Sequence, residues 1–376
     1  MRIPKNPNLL IAKVMRLSVA ARDSRRWVLI VGLVVATLDL TVCLSFAKGK
    51  GNPPSGMLAV SAGDVVVLVE PSSGAQKSIS TGPVGWLFPA PGGTLFAPDL
   101  VHGKTTVINL RSLATESPID GVTMPHFGVR ADRYVVVAEN ILVLSYPERA
   151  LMKRLEIEFE HPWQVEVHAD NTVLAVLERL PDGGGDAFFS IVKLGEGKLV
   201  YRRPLSGDVR YFAFSPVLGL VALADAGGRR VLLAEPSTLL IAAEFEVSGR
   251  PVDLAFVGGG STLAVAIERE DGGGELAIWK VKADKDGALQ RKKEWLVPLA
   301  GAPVRLASSP DGKHVAVGLS TSQLQVVVID KPQVVELIEL GDVPRDVVWC
   351  DPLEEGPLLP DWSDDDPPEL DFMGID

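Results

Sequence analysis

Residues Pro303–Asp342, PVRLASSPDGKHVAVGLSTSQLQVVVIDKPQVVELIELGD, decide the fold. Val304–Ser308 reads as a strand. Ser309-Pro310-Asp311-Gly312 follows it, with Pro at the second and Gly at the fourth position of a type I turn. His314–Leu319, Gln323–Ile329 and Val334–Leu340 read as three more strands, separated by Ser320–Ser322 and by Asp330-Lys331-Pro332. The middle strands are apolar on both faces, as strands are in a small sheet stacked between two others. The last strand alternates more, which places it outermost. Four strands in about 40 residues make one blade of a propeller.

The unit recurs along the chain. Copies start at Pro83 (WLFPAPGGTLFAPDLVHGKTTVINL), Pro125 (HFGVRADRYVVVAENILVLSYPERA) and Pro162 (WQVEVHADNTVLAVLERL). Two more start at Val209 and at Pro251. Gly56–Gly82 supplies three strands and lacks a first; Val343–Pro352 supplies a first strand and nothing more. Joined, they make one further blade from the two ends of the domain, which hides the edges of an open ring. The expectation is an all-β, seven-bladed propeller over residues 56–352, closed by pairing of its terminal strands and preceded by one N-terminal hydrophobic helix.

This pattern resembles the YVTN-type and quinoprotein amine dehydrogenase β-chain-like propellers of the WD40-like superfamily. Val326-Val327-Val328-Ile329-Asp330 carries the resemblance, with the turns Ser309-Pro310-Asp311-Gly312 and Ser215-Pro216. No Gly-His opens a blade and no Trp-Asp closes one; Ile278-Trp279-Lys280 comes nearest. The resemblance implies a fold and leaves activity open. It permits a lactonase-like enzyme or the non-catalytic chain of a quinoprotein-type dehydrogenase.

The N-terminus gives an address. Residues 1–26 form a basic region, with Asp23 the lone acid among seven Lys and Arg. Trp27–Ala47, WVLIVGLVVATLDLTVCLSFA, then carries Asp39 as its only charge. Positive charge before an apolar stretch holds the N-terminus inside and sends the following domain out. As an anchor the stretch is long enough to span a bilayer, at a cost for Asp39 of about 2.5–3.5 kcal/mol near the centre. As a signal peptide, Trp27–Leu38 is the apolar region and Ser45-Phe46-Ala47 a small-x-small cleavage site near Ala47. Ser24-Arg25-Arg26 also resembles a twin-arginine signal. Each route puts the propeller on the periplasmic or extracellular side of the cytoplasmic membrane, anchored through the N-terminal segment or released. Residues 48–55, KGKGNPPS, are the linker.

At the other end, Asp351–Asp376 holds ten acids, five prolines and no Lys or Arg. Residues 353–376 form an acidic tail that cannot bury enough apolar surface to order itself. It serves either as a solubilising tail or, through Trp362, Phe372 and Met373, as a docking segment for a basic partner. A net charge of −11 argues against nucleic acid as a partner.

Chemistry is sparse. None of the five histidines has metal-ligand spacing, and no GxSxG elbow, P-loop or dinucleotide fingerprint occurs, so no catalytic, metal or cofactor site is expected. His126 and His161 sit beside blade-starting prolines, near the channel mouth. Pro181–Asp186 and Glu270–Glu275 pair carboxylates with glycines, but one loop offers too few oxygens for calcium. Arg210, Arg305 and Arg345 follow the starts of three innermost strands. Either acids such as Asp253 and Asp346 pair with them around a water-filled channel, or they make a basic mouth for a small anionic ligand. The reading that follows is an exported, membrane-associated propeller that binds or scaffolds, with an unidentified protein or that anionic ligand as its partner.

Overall fold

The computed structural model describes residues 56–350, except 91, 100, 121–124, 128–132, 138–139, 146–150, 169–172, 180–186, 216, 284 and 286–287. Among the described residues no helix is long and apolar enough to cross a membrane. The hydrophobic stretch Trp27–Ala47 and the acidic tail lie outside them.

Seven four-stranded antiparallel sheets make the fold. The unit at Pro303 folds as Pro303–Ser308, His314–Leu319, Gln323–Val328 and Gln333–Glu339, hydrogen-bonded in that order. We call it blade 7. Blades 2 to 6 start at Phe88, Pro125, Pro162, Val209 and Arg250. The first strand of each blade lies beside the first strands of its two neighbours, and the circuit closes on itself. These strands line the central channel.

Blade 1 joins the two ends of the domain. Its innermost strand is Pro344–Cys350, followed outward by Met57–Ala62, Val65–Glu70 and Ala75–Ser80. Met57 pairs with Cys350, Ala59 with Val348 and Ser61 with Asp346. Val347 and Trp349 share one face of that strand and pack with Leu58, Val60, Ala316 and Val326 towards blade 7. Cys350, on the other parity, packs with Ala59, Leu95 and Ile108 towards blade 2.

The core is a series of layers between blades. Among the described residues, six clusters of buried apolar side chains each draw on two successive blades. The middle strands feed a cluster on each side. In Thr262–Glu268 of blade 6, Leu263, Val265 and Ile267 face blade 5, while Ala264 and Ala266 face blade 7. That is why their sequences show no alternation of polar and apolar residues. Packing is tight at the blade joints. A Cβ on Gly207, whose φ is +100°, would lie 2.7 Å from a carboxylate oxygen of buried Asp225, so glycine is required there on two counts.

Removing residues 343–376 strips blade 1 of its innermost strand and exposes the edge of Met57–Ala62 with the flanks of blades 7 and 2. The truncated protein should aggregate and lose its cooperative thermal transition, whereas removal of 354–376 alone should leave the melting temperature within about 2 °C. Equal melting of both truncations would disprove the closure.

Candidate functional site

The channel side of five innermost strands carries one recurring position. In blade 7, Pro303 pairs with Leu319 and Arg305 with Gly318, leaving Val304 as the extra residue of a β-bulge. The same irregularity leaves out Trp163 in blade 4, Arg210 in blade 5, Val252 in blade 6 and Arg345 in blade 1. The residue after each bulge turns into the channel: Gln164, Tyr211, Asp253, Arg305 and Asp346, with Trp86 matching them in blade 2. Tyr211 aside, these five residues line a cavity of about 360 Å³ at the channel's centre. Trp163 and Glu166 complete its blade 4 wall.

These side chains answer a need of the backbone. The inner edge of each blade has no further strand to pair with, so its N–H groups require other acceptors. The Leu306 N–H donates to Asp253 Oδ2 at 2.9 Å, and the Leu87 N–H donates to Asp346 Oδ2 at 2.7 Å. The Gln164 amide serves both groups of Phe212, accepting its N–H at 2.9 Å and donating to its carbonyl at 2.7 Å. Each bond runs from the channel position of one blade to the residue after the channel position of the next.

Arg305 breaks the series because it cannot accept. Its guanidinium instead lies between the two aspartates, with Nε 3.1 Å from Asp346 Oδ1 and Nη1 3.6 Å from Asp253 Oδ2. It also sits 4.4 Å from the centroid of the Tyr211 ring, a cation–π contact. Burial opposes its charge, but Asp346 and Asp253 outweigh this and hold its pKa above the ordinary value. Burial pushes the Asp253 carboxyl up to about 6, against the pull of Arg305. Burial raises Asp346 too. The Tyr211 hydroxyl is likewise raised, chiefly by burial.

Glu166 stands apart. It shares a strand with Gln164, two residues on, and so the same edge. Its Oε1 accepts a long hydrogen bond, 3.4 Å, from the Phe214 N–H. Part of its surface opens to the channel, but the blade walls hold it away from bulk water. That burial pushes it up to about 8, and only the Phe214 N–H works against the rise.

The three arginines do not share a site. Arg305 alone of them lines the cavity. Arg210, at the bulge, holds Asp208 through Nε at 2.9 Å and Nη2 at 2.7 Å, and Arg179 holds the same carboxylate at 2.8 Å. Arg345, also at a bulge, is exposed. One residue of register separates both from the channel position. His161 is exposed and outside the cavity lining; His126 lies in the first strand of blade 3, with its side chain outside the described residues. Glu270 pairs with Arg229 at 2.6 Å, Asp271 pairs with Arg269, and Pro181 and Asp186 lie outside the described residues. Among the described residues no group of three metal-ligating side chains occurs. Of the channel residues that sequence reading passes over, Gln164, Glu166, Tyr211 and Trp86, only Gln164 carries a usable signal: like Asp253, Arg305 and Asp346, it stands two places after a Pro at or next to the start of its strand.

No family model matches this chain, and no curated protein matches it. Solved structures do. A functionally unknown protein from Desulfotomaculum acetoxidans is 13% identical with a TM-score of 0.61, over 79% of this chain and 99% of that one. A putative 6-phosphogluconolactonase from Bacteroides fragilis is 13% identical with a TM-score of 0.57, over 81% and 99%. The Cps50 (Swd1) β-propeller domain of Myceliophteria thermophila is 13% identical with a TM-score of 0.56, over 70% and 89%. At such identities the likeness is one of fold: this chain is a seven-bladed β-propeller in architecture.

Two outcomes follow from the channel chemistry. Arg305→Met leaves two buried carboxyls without their cation and should cost about 3–5 kcal/mol in denaturant unfolding at pH 7.5, with part of the loss recovered in the Arg305→Met, Asp253→Asn double variant. The Glu166 pKa rises on folding, so between its ordinary value of 4.5 and about 8 the folded state binds the extra proton and stability falls as pH rises. Glu166→Gln should therefore match the parent at pH 4.5 and exceed it by about 1–2 kcal/mol at pH 9, a figure discounted for the open part of its surface. A variant that is less stable at pH 9 would contradict the assignment.

Proposed function

We propose that this chain is an exported, membrane-associated propeller that acts as a non-enzymatic binding module, with its ligand entering the central channel. The observation that supports this is the cavity itself. Six blades, three of their joints tied by side chain-to-backbone bonds across the inner edges, line a concave site of about 360 Å³ with aromatic walls and a few fixed polar groups. Such a site is preorganised: occupying it orders little that is not already ordered. The basic region and the apolar stretch Trp27–Ala47 support the address, with the propeller held at the outer face of the cytoplasmic membrane or released by cleavage near Ala47.

The putative 6-phosphogluconolactonase among the structural neighbours is the reason to keep a lactonase-like activity as the second reading. Against it stands the state of Arg305, the one cation among the described residues of the cavity lining, whose guanidinium is already held by two carboxylates. A small anion would have to displace both.

Alkaline phosphatase fused after Ser55 should be active, and a cytoplasmic reporter at the same point inactive. The reverse pattern would overturn the export. Purified full-length protein should bind small molecules with quenching of tryptophan fluorescence and leave lactones and amines unconverted; steady turnover of a lactone would replace the binding reading with the enzymatic one.

A further inference from the structure

The cavity holds more acid than base. Asp253, Asp346 and Glu166 contribute carboxyls, and Arg305 is the single guanidinium among its described lining residues. Arg305 answers the two aspartates. Glu166, on the blade 4 wall, has the Phe214 N–H as its partner, and no cation among the described residues acts on it. Around it the walls are aromatic. Phe214 presents the N–H, Trp163 and Trp86 meet edge to face at 5.7 Å, and Phe88 lines the same cavity. Ring faces carry negative potential and draw cations. The Trp163 indole N–H, for its part, finds no acceptor. Arg305 over Tyr211 shows within this same channel how a cation is held, by a ring face and carboxylates together.

We propose that the cavity receives an organic cation, an ammonium or guanidinium group on a small apolar body, with Glu166 as its counter-ion and the tryptophan wall as its seat. This rests on the binding-module reading and supplies its ligand class. The cation is carried either by a free amine or by the basic side chain of a peptide, and the experiment separates the two.

Binding is coupled to a proton. Empty, the cavity keeps Glu166 protonated at pH 7, because burial pushes it up to about 8. The cation favours the carboxylate, so the proton leaves as the ligand enters, and affinity rises as pH rises through 8. Other groups face the same space. Tyr211, Asp253, Arg305 and Asp346 belong to the channel ring, and Gln164 and His168 flank Glu166 on its own strand edge, with the His168 ring 5.2 Å from Phe214. Arg210 in blade 5 is held by Asp208, and His126 in blade 3 has its side chain outside the described residues. Asp253 titrates near 6 and the raised Tyr211 hydroxyl stays neutral, so a window from pH 7 to 9 isolates Glu166 from both.

The test uses full-length protein in detergent, followed by calorimetry and tryptophan fluorescence. The probes are benzyltrimethylammonium, benzyl alcohol and benzoate, which share a ring and differ in charge, and the capped tripeptide Gly-Lys-Gly. Benzyltrimethylammonium, whose own charge does not change with pH, should bind about tenfold more tightly at pH 9 than at pH 7. Glu166→Gln, which keeps an acceptor for the Phe214 N–H and whose folding is checked by melting, should flatten that dependence and hold affinity at or below the parent's pH 7 value. Binding of the tripeptide in place of benzyltrimethylammonium supports the cation and assigns it to a peptide. Preference for benzoate, equal binding of benzyl alcohol, or a pH dependence that survives Glu166→Gln overturns the cationic ligand. In those cases quenching that is lost in Trp163→Phe leaves the binding module standing. If no probe binds, both readings fall.

Discussion

A propeller leaves the inner edge of every blade without a strand to pair with, and the channel of this protein is organised around that deficit. An unsatisfied backbone N–H away from bulk water costs about 1–3 kcal/mol. Here Gln164, Asp253 and Asp346 each reach sideways to the next blade and accept from the residue after its channel position: Phe212, Leu306 and Leu87. Where the channel residue is Tyr211, the next blade caps itself: the Leu254 N–H donates to Asp253 Oδ1 at 2.8 Å. Arg305 precedes blade 1, and there the Val347 N–H turns to Asp346. The chemistry of one blade's channel residue thus sets the backbone partner of the next.

Carboxylates make good caps, but they bring charge into the channel. Two aspartates used in this way would repel each other in a site from which bulk water is largely excluded. Arg305 lies between them and answers both, at 3.1 and 3.6 Å. This explains why a guanidinium so well paired is not free to hold a ligand anion. Buried ion sets of this kind add little net stability over an apolar alternative, and breaking them is costly. The arrangement is best understood as the completion of the edge capping, with its charge balanced locally. Glu166 lies outside that balance, and this is what makes its wall of the cavity chemically distinct.

The architecture was legible because it is written in features that repeat: turns with Pro and Gly at set positions, middle strands apolar on both faces, and two incomplete ends that sum to one blade. Val347 and Trp349 could be assigned to a shared face from parity alone, and Ala59 and Cys350 pack on the opposite side. The channel was harder to read, because a β-bulge inserts one residue near the start of five of the innermost strands. It moves Arg210 and Arg345 off the channel position that Arg305 holds, although all three follow a strand start. Glu166 is hidden for a different reason. In WQVEVH the alternation of polar and apolar residues looks like a strand with one face in water, when that polar edge is the channel. The aspartates expected to answer arginine do so, but around one guanidinium rather than three.

The division of labour along each innermost strand has a consequence for what the fold can reveal. Residues of one parity, such as Val165, Phe212, Leu254, Leu306 and Val347, enter the layers between blades or their margins and are constrained by volume. The intervening channel positions hold Trp86, Gln164, Tyr211, Asp253, Arg305 and Asp346, five residue types over six positions with Asp alone repeated. Their one shared duty is to satisfy or avoid a neighbouring N–H, which an amide, a carboxylate or a self-capping neighbour performs equally well. Substitution there leaves the layers between blades intact while it changes what the channel can hold. A fold shared at 13% identity therefore says nothing of the groups that meet a ligand. The chemistry of this channel has to be argued from its own lining residues, and among those described the carboxyl without a cation belongs to Glu166.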